Sequence, residues 1–435
     1  MAKPLPQPVR IYRVGGSVRD ELIGRPVADR DWVVVGATPE IMLASGYKPV
    51  GRDFPVFLHP DTGEEYALAR TERKQGTGYR GFAFFASPEV TLDDDLARRD
   101  LTINAMARAD DGTLIDPYGG ESDLKAGVLH HVSSAFAEDP LRVLRVARFA
   151  ARFGFAVAAT TEAMLRAIVA TGELATLAPE RVWRELATGL SEEVPSRMFA
   201  VLRSCGALRA LLPEVDALFG IPQPRASHPE IDTGVHVMQA VDHAARKGFA
   251  LQVRYAVLTH DLGKAASPST SWPAHHRHEA ASVRRARHVS ERLRVPTDCR
   301  DLARLVARWH GVVHRAHELR PATLLDLFVA ADALRRPERL RELLEACESD
   351  ALSRPGAAPS YAPAALVQQA FAVVRAVDAG AAAADALARA SKRGEPAVGD
   401  AIGRAVRSTR IAALRRWRAQ PQLVLFTGGR REFGA

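Results

Sequence analysis

Cysteine is almost missing from this sequence: Cys205, Cys299 and Cys347 are the only three in 435 residues, far apart, odd in number and without a CxxC spacing. That excludes a disulfide framework and a thiolate zinc site, and it points to a reducing, cytoplasmic compartment. No apolar run approaches the roughly 18 residues of a membrane helix, and the start MAKPLPQPVRIYRVGG lacks the apolar stretch of a secretory signal. The chain is therefore expected to be neither exported nor membrane-spanning. Also missing are a GK[ST] phosphate loop, a GxGxxG dinucleotide fingerprint and any evident Ser/His or Cys/His nucleophile pair. Walker-type nucleotide hydrolysis, Rossmann redox chemistry and covalent catalysis are set aside.

What is present is ordinary globular composition, 47% hydrophobic and 25% charged, in a chain of 435 residues. At roughly 100–200 residues per domain this allows about two to four domains. The balance of 59 Lys+Arg against 51 Asp+Glu, a net charge of +8, suits a polyanionic partner such as nucleic acid. Strand-like segments cluster early, at Val9–Val14, Trp32–Val35, Val56–Leu58 and Tyr66–Ala69, and helical patterns take over from Asp139. Pro-rich breaks near 220–230 and 354–359 are candidate boundaries, and there is no internal repeat. The expected class is α+β, a mixed-sheet head followed by all-α regions. Six arginines and no acid lie between Ile402 and Gln420, as a solvated helix face or as a nucleic-acid contact.

Gly15-Gly16-Ser17-Val18-Arg19-Asp20 follows a strand and opens an amphipathic helix, and Asp29-Arg30-Asp31 leads into the apolar Trp32–Val35. Glycines at a strand-to-helix turn let backbone amides approach a phosphate, and Arg19 can add a charged contact. Asp29 and Asp31, two apart at a strand start, share a face; they would repel one another without a divalent cation, and oxygen-only ligands favour Mg²⁺. Such a pair suggests two-metal phosphoryl transfer. GGxVRDxLxG followed by DxD closely resembles the signature of the tRNA nucleotidyltransferase and poly(A) polymerase group. The resemblance implies a polymerase-β-like head in which Gly16 and Arg19 hold a triphosphate and Asp29 and Asp31 bind Mg²⁺. A third carboxylate on a neighbouring strand is a habit of that superfamily, with Glu64 and Glu65 as candidates. It further implies that Arg99 and Asp100, in RRDLTINA with Asn104 nearby, recognise the ribose. The Gly-rich, basic stretch 71–92 fits a mobile loop beside the site or a disordered connector.

Glu138-Asp139-Pro140-Leu-Arg142-Val-Leu-Arg145-Val-Ala-Arg148 is the most informative segment. Asp139 can cap a helix whose first position suits Pro140, and three arginines recur on one slowly winding face. Cytosine and adenine each present an amino donor beside a ring-nitrogen acceptor, whereas uracil and guanine present a carbonyl beside an N–H. One carboxylate beside one arginine therefore accepts C and A and rejects U and G. EDxxR is the motif to which the resembled family assigns this role, making Asp139 and Arg142 the base readers and Arg145 and Arg148 triphosphate contacts.

Residues 228–332 hold His236, then His260-Asp261-Leu-Gly-Lys264, then His275, His276 and His278, then His310 and Asp332. Imidazoles with carboxylates suit borderline divalent metals and leave room for a water nucleophile and a phosphate. The order H…HD…D resembles the HD metal-dependent phosphohydrolase superfamily, mapped onto His236, His260, Asp261 and Asp332, with the other histidines as extra ligands or phosphate contacts. A nucleotidyltransferase head followed by an HD domain resembles the multifunctional CCA-adding enzymes of Gram-negative bacteria along nearly the whole chain. That implies four parts: a head over 1–138, a helical neck with the template motif over 139–227, an HD domain over 228–335 and a helical C-terminal region over 336–435. It also implies CCA addition to tRNA from CTP and ATP with Mg²⁺, and phosphatase, 2′-nucleotidase and 2′,3′-cyclic phosphodiesterase activities with a transition metal such as Ni²⁺, in a monomer or homodimer. Poly(A) polymerases share the head motifs but not the histidine set; partial CC- or A-addition and a phosphohydrolase with an RNA-binding head are the remaining alternatives.

Overall fold

β-Branched and aromatic residues alternate through Arg10–Val14 (β1), and the strand that forms there turns Tyr12 and Val14 into the core. The computed structural model describes residues 4–27, 29–50, 56–74, 82–224, 231–354, 356, 358–392 and 399–420. They divide into two units, Met1–Asp216 and Ala217–Ala435.

The first unit is built on a seven-stranded sheet. Its strands are β1, β2 (Asp31–Val35), β3 (Lys48–Pro49), β4 (Val56–Leu58) and β5 (Glu65–Leu68), while β6 (Arg70–Lys74) and β7 (Phe82–Ala86) pair separately as an antiparallel hairpin. With β8 (Ala107–Arg108) and β9 (Leu114–Ile115) the order is β3-β4-β5-β2-β1-β8-β9. β1 and β2 are antiparallel with Val14 opposite Asp31, and β2 and β5 are parallel with Asp31 beside Glu65. One face buries Val14, Val33 and Leu96, the other Val34, Met42 and Leu68. The stretch 71–92 carries regular structure: β6, β7 and the start of a helix occupy its described residues, and 75–81 lies outside them.

Short helices α1 (Gly16–Leu22), α2 (Pro39–Ala44), α3 (Leu92–Ala97) and α4 (Gly120–Ala126) flank the sheet; Thr91 and Asp94 close a capping box on α3. From α5 (Leu141–Phe153) onward the unit is mostly helical, continuing through α6 (Ala159–Ala170), α7 (Pro179–Ser191), α8 (Ser196–Ser204), α9 (Ala207–Leu211) and α10 (Pro213–Asp216), with Ala156–Val157 pairing in parallel with Val128–Leu129. α5 buries Val143, Leu144, Val146 and Ala147 against α7 and α8, which leaves its arginine face for the other side.

The second unit is helical: α11 (Thr233–Arg246), α12 (Leu251–Thr259), α13 (His278–Arg292), α14 (Thr297–His314), α15 (Pro321–Ala330), α16 (Pro337–Leu352), α17 (Ala362–Arg375), α18 (Ala379–Lys392) and α19 (Gly399–Arg418). α12, α14 and α16 pack on one another, with α11 against α12 and α16 and α13 against α14. Within the arginine-rich α19, Arg407 pairs with Asp326 at 2.8 Å and Arg418 donates to the carbonyls of Ala316 and His317, while Arg404, Arg415 and Arg416 are exposed. The three cysteines are free and buried. Among the described residues no helix is long and apolar enough to cross a membrane.

Candidate functional site

The chain leaves β1 through Gly15 at φ 70°, a conformation that favours glycine, and a Cβ there would lie 2.7 Å from Arg99 Nη1 and push that guanidinium aside. This turn opens a cleft of about 600 Å³ whose walls carry nine arginines against four carboxylates, a surplus suited to a polyphosphate. Gly16, Arg19, Arg99, Asp100, Asp139, Arg142, Arg145 and Arg148, all expected from sequence, line it together. Arg19 is buried, donating to Asn104 Oδ1 at 2.5 Å and Asp20 Oδ1 at 2.8 Å, with its guanidinium 4.8 Å from the Phe153 ring centroid. These contacts hold its planar head in one orientation.

The parallel register of β2 and β5 sets Glu65 beside Asp31, and both line the cleft. Glu64 turns elsewhere, accepting from Trp32 Nε1 at 3.2 Å and lying 3.7 Å from Arg30. Of the two candidates, Glu65 is the one at the cleft. Asp29 precedes β2 and is not part of the lining, yet its charge reaches Asp31. Desolvation in the cleft pushes the Asp31 carboxyl above its ordinary value; Arg99 opposes this and Asp29 adds to it. An oxygen-only set strained in this way fits a hard divalent cation such as Mg²⁺, whose charge would relieve both desolvation and repulsion.

Just before α5, Asp139 lines the cleft and has both oxygens engaged. One carboxylate oxygen accepts the Leu141 N–H at 3.0 Å, as a cap does, and the other accepts from Arg181 at 3.1 Å. Arg142 donates to the carbonyls of Ala135 at 2.9 Å and Arg98 at 2.5 Å. Arg145 Nε meets Asp100 Oδ2 at 2.7 Å, and the other Asp100 oxygen accepts from Asn104 Nδ2 at 3.0 Å and the Leu101 N–H at 2.9 Å. Burial alone would raise the Asp100 carboxyl, but Arg145, Asn104 and Arg142 hold it well below the usual carboxylate range. Arg148 pairs with Glu185 at 2.6 Å over the Phe149 ring. Arg152, Arg181 and Glu185 escape the sequence reading; the last two, an i,i+4 Arg/Glu pair on the α7 pattern, were the available signal.

The second unit gathers a buried imidazole cluster. α12 ends at Thr259, placing His260 at its C-cap with Asp261 next, both 1% exposed. Gly263 then lets the chain run against the start of α13, its N–H donating to Ser282 Oγ at 2.9 Å. His236 of α11 lies 2.7 Å from Asp350 of α16, and His260 Nε2 is 3.2 Å from Asp261 and 3.7 Å from Asp350. Asp332 is not brought to this cluster. It occupies a left-handed turn after α15 at φ 52°, a third exposed and beside Arg335 and Arg336. The carboxylate that completes the order H…HD…D in space is Asp350, which the sequence reading missed because its helix lies beyond the expected domain end.

Asp350 is buried, but His260, His314 and His236 hold its carboxyl well below the ordinary value, and His260 and Lys264 do the same for Asp261. Burial drops the His310 imidazole to about 3, against the pull of Asp261. Among the described residues, two groups have ligand atoms within 4.8 Å of one another: His236, His260 and Asp350, and His260, Asp261 and His310. Mixed imidazole and carboxylate donors fit a borderline transition metal. His275 spends both ring nitrogens on Ser267 Oγ and the Pro222 carbonyl, and His276 is exposed, so neither joins the cluster.

A family model described as the poly A polymerase head domain matches residues 11–130, and one described as a probable RNA and SrmB-binding site of polymerase A matches residues 154–219. A multifunctional CCA protein of Aromatoleum aromaticum is 60% identical over 409 residues, 94% of this chain and 98% of the relative. One of Nitrosomonas europaea is 61% identical over 374 residues, 86% and 91% of the two chains. Among solved structures, the Bacillus stearothermophilus CCA-adding enzyme in complex with CTP aligns with a TM-score of 0.66 at 23% identity, covering 94% of this chain and 90% of that one. The Thermotoga maritima CCA-adding enzyme complexed with tRNA aligns with a TM-score of 0.58 at 21% identity, covering 93% and 87%. These structures share the fold of this α+β chain.

Proposed function

The chain belongs to the multifunctional CCA protein family, and from that membership we propose that it adds C, C and A to the 3′ end of tRNA without a nucleic-acid template, using CTP and ATP. The observation that carries this reading is a single cleft joining a nine-arginine wall, the carboxylates Asp31 and Glu65, and the Asp139 and Arg142 of the template motif. The tRNA 3′-hydroxyl oxygen attacks the α-phosphorus, the bond to the bridging oxygen breaks, and pyrophosphate leaves. Asp29, Asp31 and Glu65 would hold Mg²⁺, whose charge lowers the pKa of the attacking hydroxyl and steadies the leaving group.

Arg19, held by Asn104 and Asp20, presents a fixed cation to the triphosphate, and Arg145 and Arg148 flank it from α5. Asp100 and Arg99 face the ribose. Asp139 and Arg142 read the base edge, a role in which both must exchange present partners for the nucleotide: Arg142 the carbonyls of Ala135 and Arg98, Asp139 the Arg181 guanidinium. Rejection of U and G then follows from leaving that carboxylate and guanidinium unpaired in the cleft.

We assign the head to 1–138 and the neck to 139–227, and place the HD domain from 228 through α16 rather than ending it at 335, because Asp350 lies in the cluster. His236, His260, Asp261 and Asp350 would hold a transition metal such as Ni²⁺ for phosphatase, 2′-nucleotidase and 2′,3′-cyclic phosphodiesterase chemistry. The chain works in the cytoplasm on tRNA, as a monomer or homodimer. The test is incorporation into tRNA transcripts that end before CCA, with labelled CTP alone, ATP alone and both. Two C additions with CTP alone and a terminal A only after CTP support the reading. Long A runs with little C would mark a poly(A) polymerase.

A further inference from the structure

We propose that the buried imidazole cluster is built for two cations rather than one, the second held by Asp261, His278 and His310 beside the first at His236, His260 and Asp350. The inference rests on the reading of this cluster as a metal hydrolase site and specifies its nuclearity.

Three histidines carry it. His260 Nδ1 lies 2.7 Å from the Val257 carbonyl, His278 Nδ1 2.9 Å from the His275 carbonyl, and His310 Nδ1 3.0 Å from the Val306 carbonyl. A carbonyl can only accept, so each Nδ1 carries a proton and each ring is held with its Nε2 turned inward; this backbone pinning is how metal-ligating histidines are held. All three Nε2 atoms converge on one carboxylate, at 3.2 Å for His260, 3.0 Å for His278 and 3.5 Å for His310. A divalent cation among these atoms would be bound by the imidazoles and the carboxylate together. Consistently, His260 Nε2, His278 Nε2 and Asp261 Oδ1 are buried without a directed hydrogen bond.

One ion does not serve all of these atoms. His260 belongs to both groups of close ligand atoms, but with its Nδ1 engaged it offers a single Nε2, which commits to one ion. If that ion is shared with His236 and Asp350, then His310, His278 and the inward Asp261 oxygen are left as the donors of a second position. The two oxygens of Asp261 divide accordingly: Oδ2 faces His260 and Lys264, the latter at 2.6 Å, while Oδ1 faces His278 and His310. Asp261 thus bridges. Two divalent cations and Lys264 outweigh the charges of Asp261 and Asp350, leaving a net positive site suited to the dianion of a phosphomonoester.

The test counts ions. Full-length, tag-free protein carrying Asp31→Asn, which breaks the head carboxylate set, is stripped with chelator, loaded with Ni²⁺, passed through gel filtration and measured by mass spectrometry. Two ions per chain are expected, falling to one on adding His310→Gln or His278→Gln. Loaded instead with Mn²⁺, the parent chain should give an exchange-coupled paramagnetic resonance spectrum, a readout that needs no change in the cluster. One ion per chain in the parent, or a count unmoved by both substitutions, overturns the second position. No bound ion at all overturns the metal-hydrolase reading as well, so the two failures are distinguishable.

Discussion

The cleft of the first unit and the cluster of the second both suit phosphate chemistry, and they are built in opposite ways. The cleft gathers nine guanidiniums against four carboxylates around open space. The cluster has few donors, nearly all imidazole or carboxylate, sealed from solvent with His236, His260 and Asp261 at most 1% exposed. Delocalised, weakly hydrated guanidiniums can crowd one another and reposition on a triphosphate as successive nucleotides enter. Imidazoles pinned by backbone carbonyls cannot move, and such rigidity suits a site that keeps a metal and does one hydrolysis. The difference fits the proposed roles, one site for a changing ligand and the other for a resident ion.

The comparison breaks first if the sites are not separable. Asp31→Ala should cut nucleotide incorporation by roughly a thousand-fold or more, the several kcal/mol that metal-held charge stabilisation supplies, and leave cyclic phosphate hydrolysis unchanged in the same preparation. His260→Ala should do the reverse, lowering hydrolysis by more than the roughly 10–100-fold that loss of an outer partner of a metal ligand costs, with tRNA extension intact. Next, Arg142→Ala should narrow the preference for CTP over UTP by about 10–100-fold in competition assays, since a bidentate base contact is worth about 1–3 kcal/mol, while affinity for either nucleotide changes less.

A smaller effect follows from the strain on Asp31. Its carboxyl is raised in the folded chain, so its charge costs stability above the folded pKa, and that cost vanishes once pH falls below the unfolded value of about 4. Asp31→Asn should therefore raise the melting temperature of divalent-free protein at pH 8, and the gain should disappear at pH 3.5. Mg²⁺ should stabilise the parent chain and not the variant. Smallest of all, Asp332→Asn should alter metal content not at all and stability by no more than about 0.5 kcal/mol, as a surface position does; loss of metal would restore Asp332 to the cluster in place of Asp350.

The head was legible because its chemistry is written in short runs. Gly15-Gly16 and Arg19 share one turn, Asp29 and Asp31 one strand start, and Asp139 through Arg148 one helix face, so local spacing brings each set together. What stayed hidden depends on distant packing. Arg181 reaches Asp139 across 42 residues, and Arg148 meets Glu185 across 37. Asp350 reaches His236 across 114, on a helix no local pattern distinguishes, whereas Asp332 offered the right residue type in a turn that faces away. The takeover by helices after Asp139 was similarly readable, while the hairpin of β6 and β7 was not, because the stretch around it is glycine-rich and reads as loop. The arginines of α19 show the limit of charge counting: Arg407 and Arg418 are spent on Asp326 and backbone carbonyls within their own unit.

In the proposed reaction this chain, and no nucleic acid, chooses the bases added to tRNA. Sequencing the 3′ ends produced from CCA-less tRNA with all four nucleoside triphosphates at equal concentration tests it most directly. A single CCA is expected on nearly every molecule for the parent chain, and misincorporated U or G for Arg142→Ala. Ends of mixed sequence from the parent chain, or faithful CCA from the variant, would contradict it.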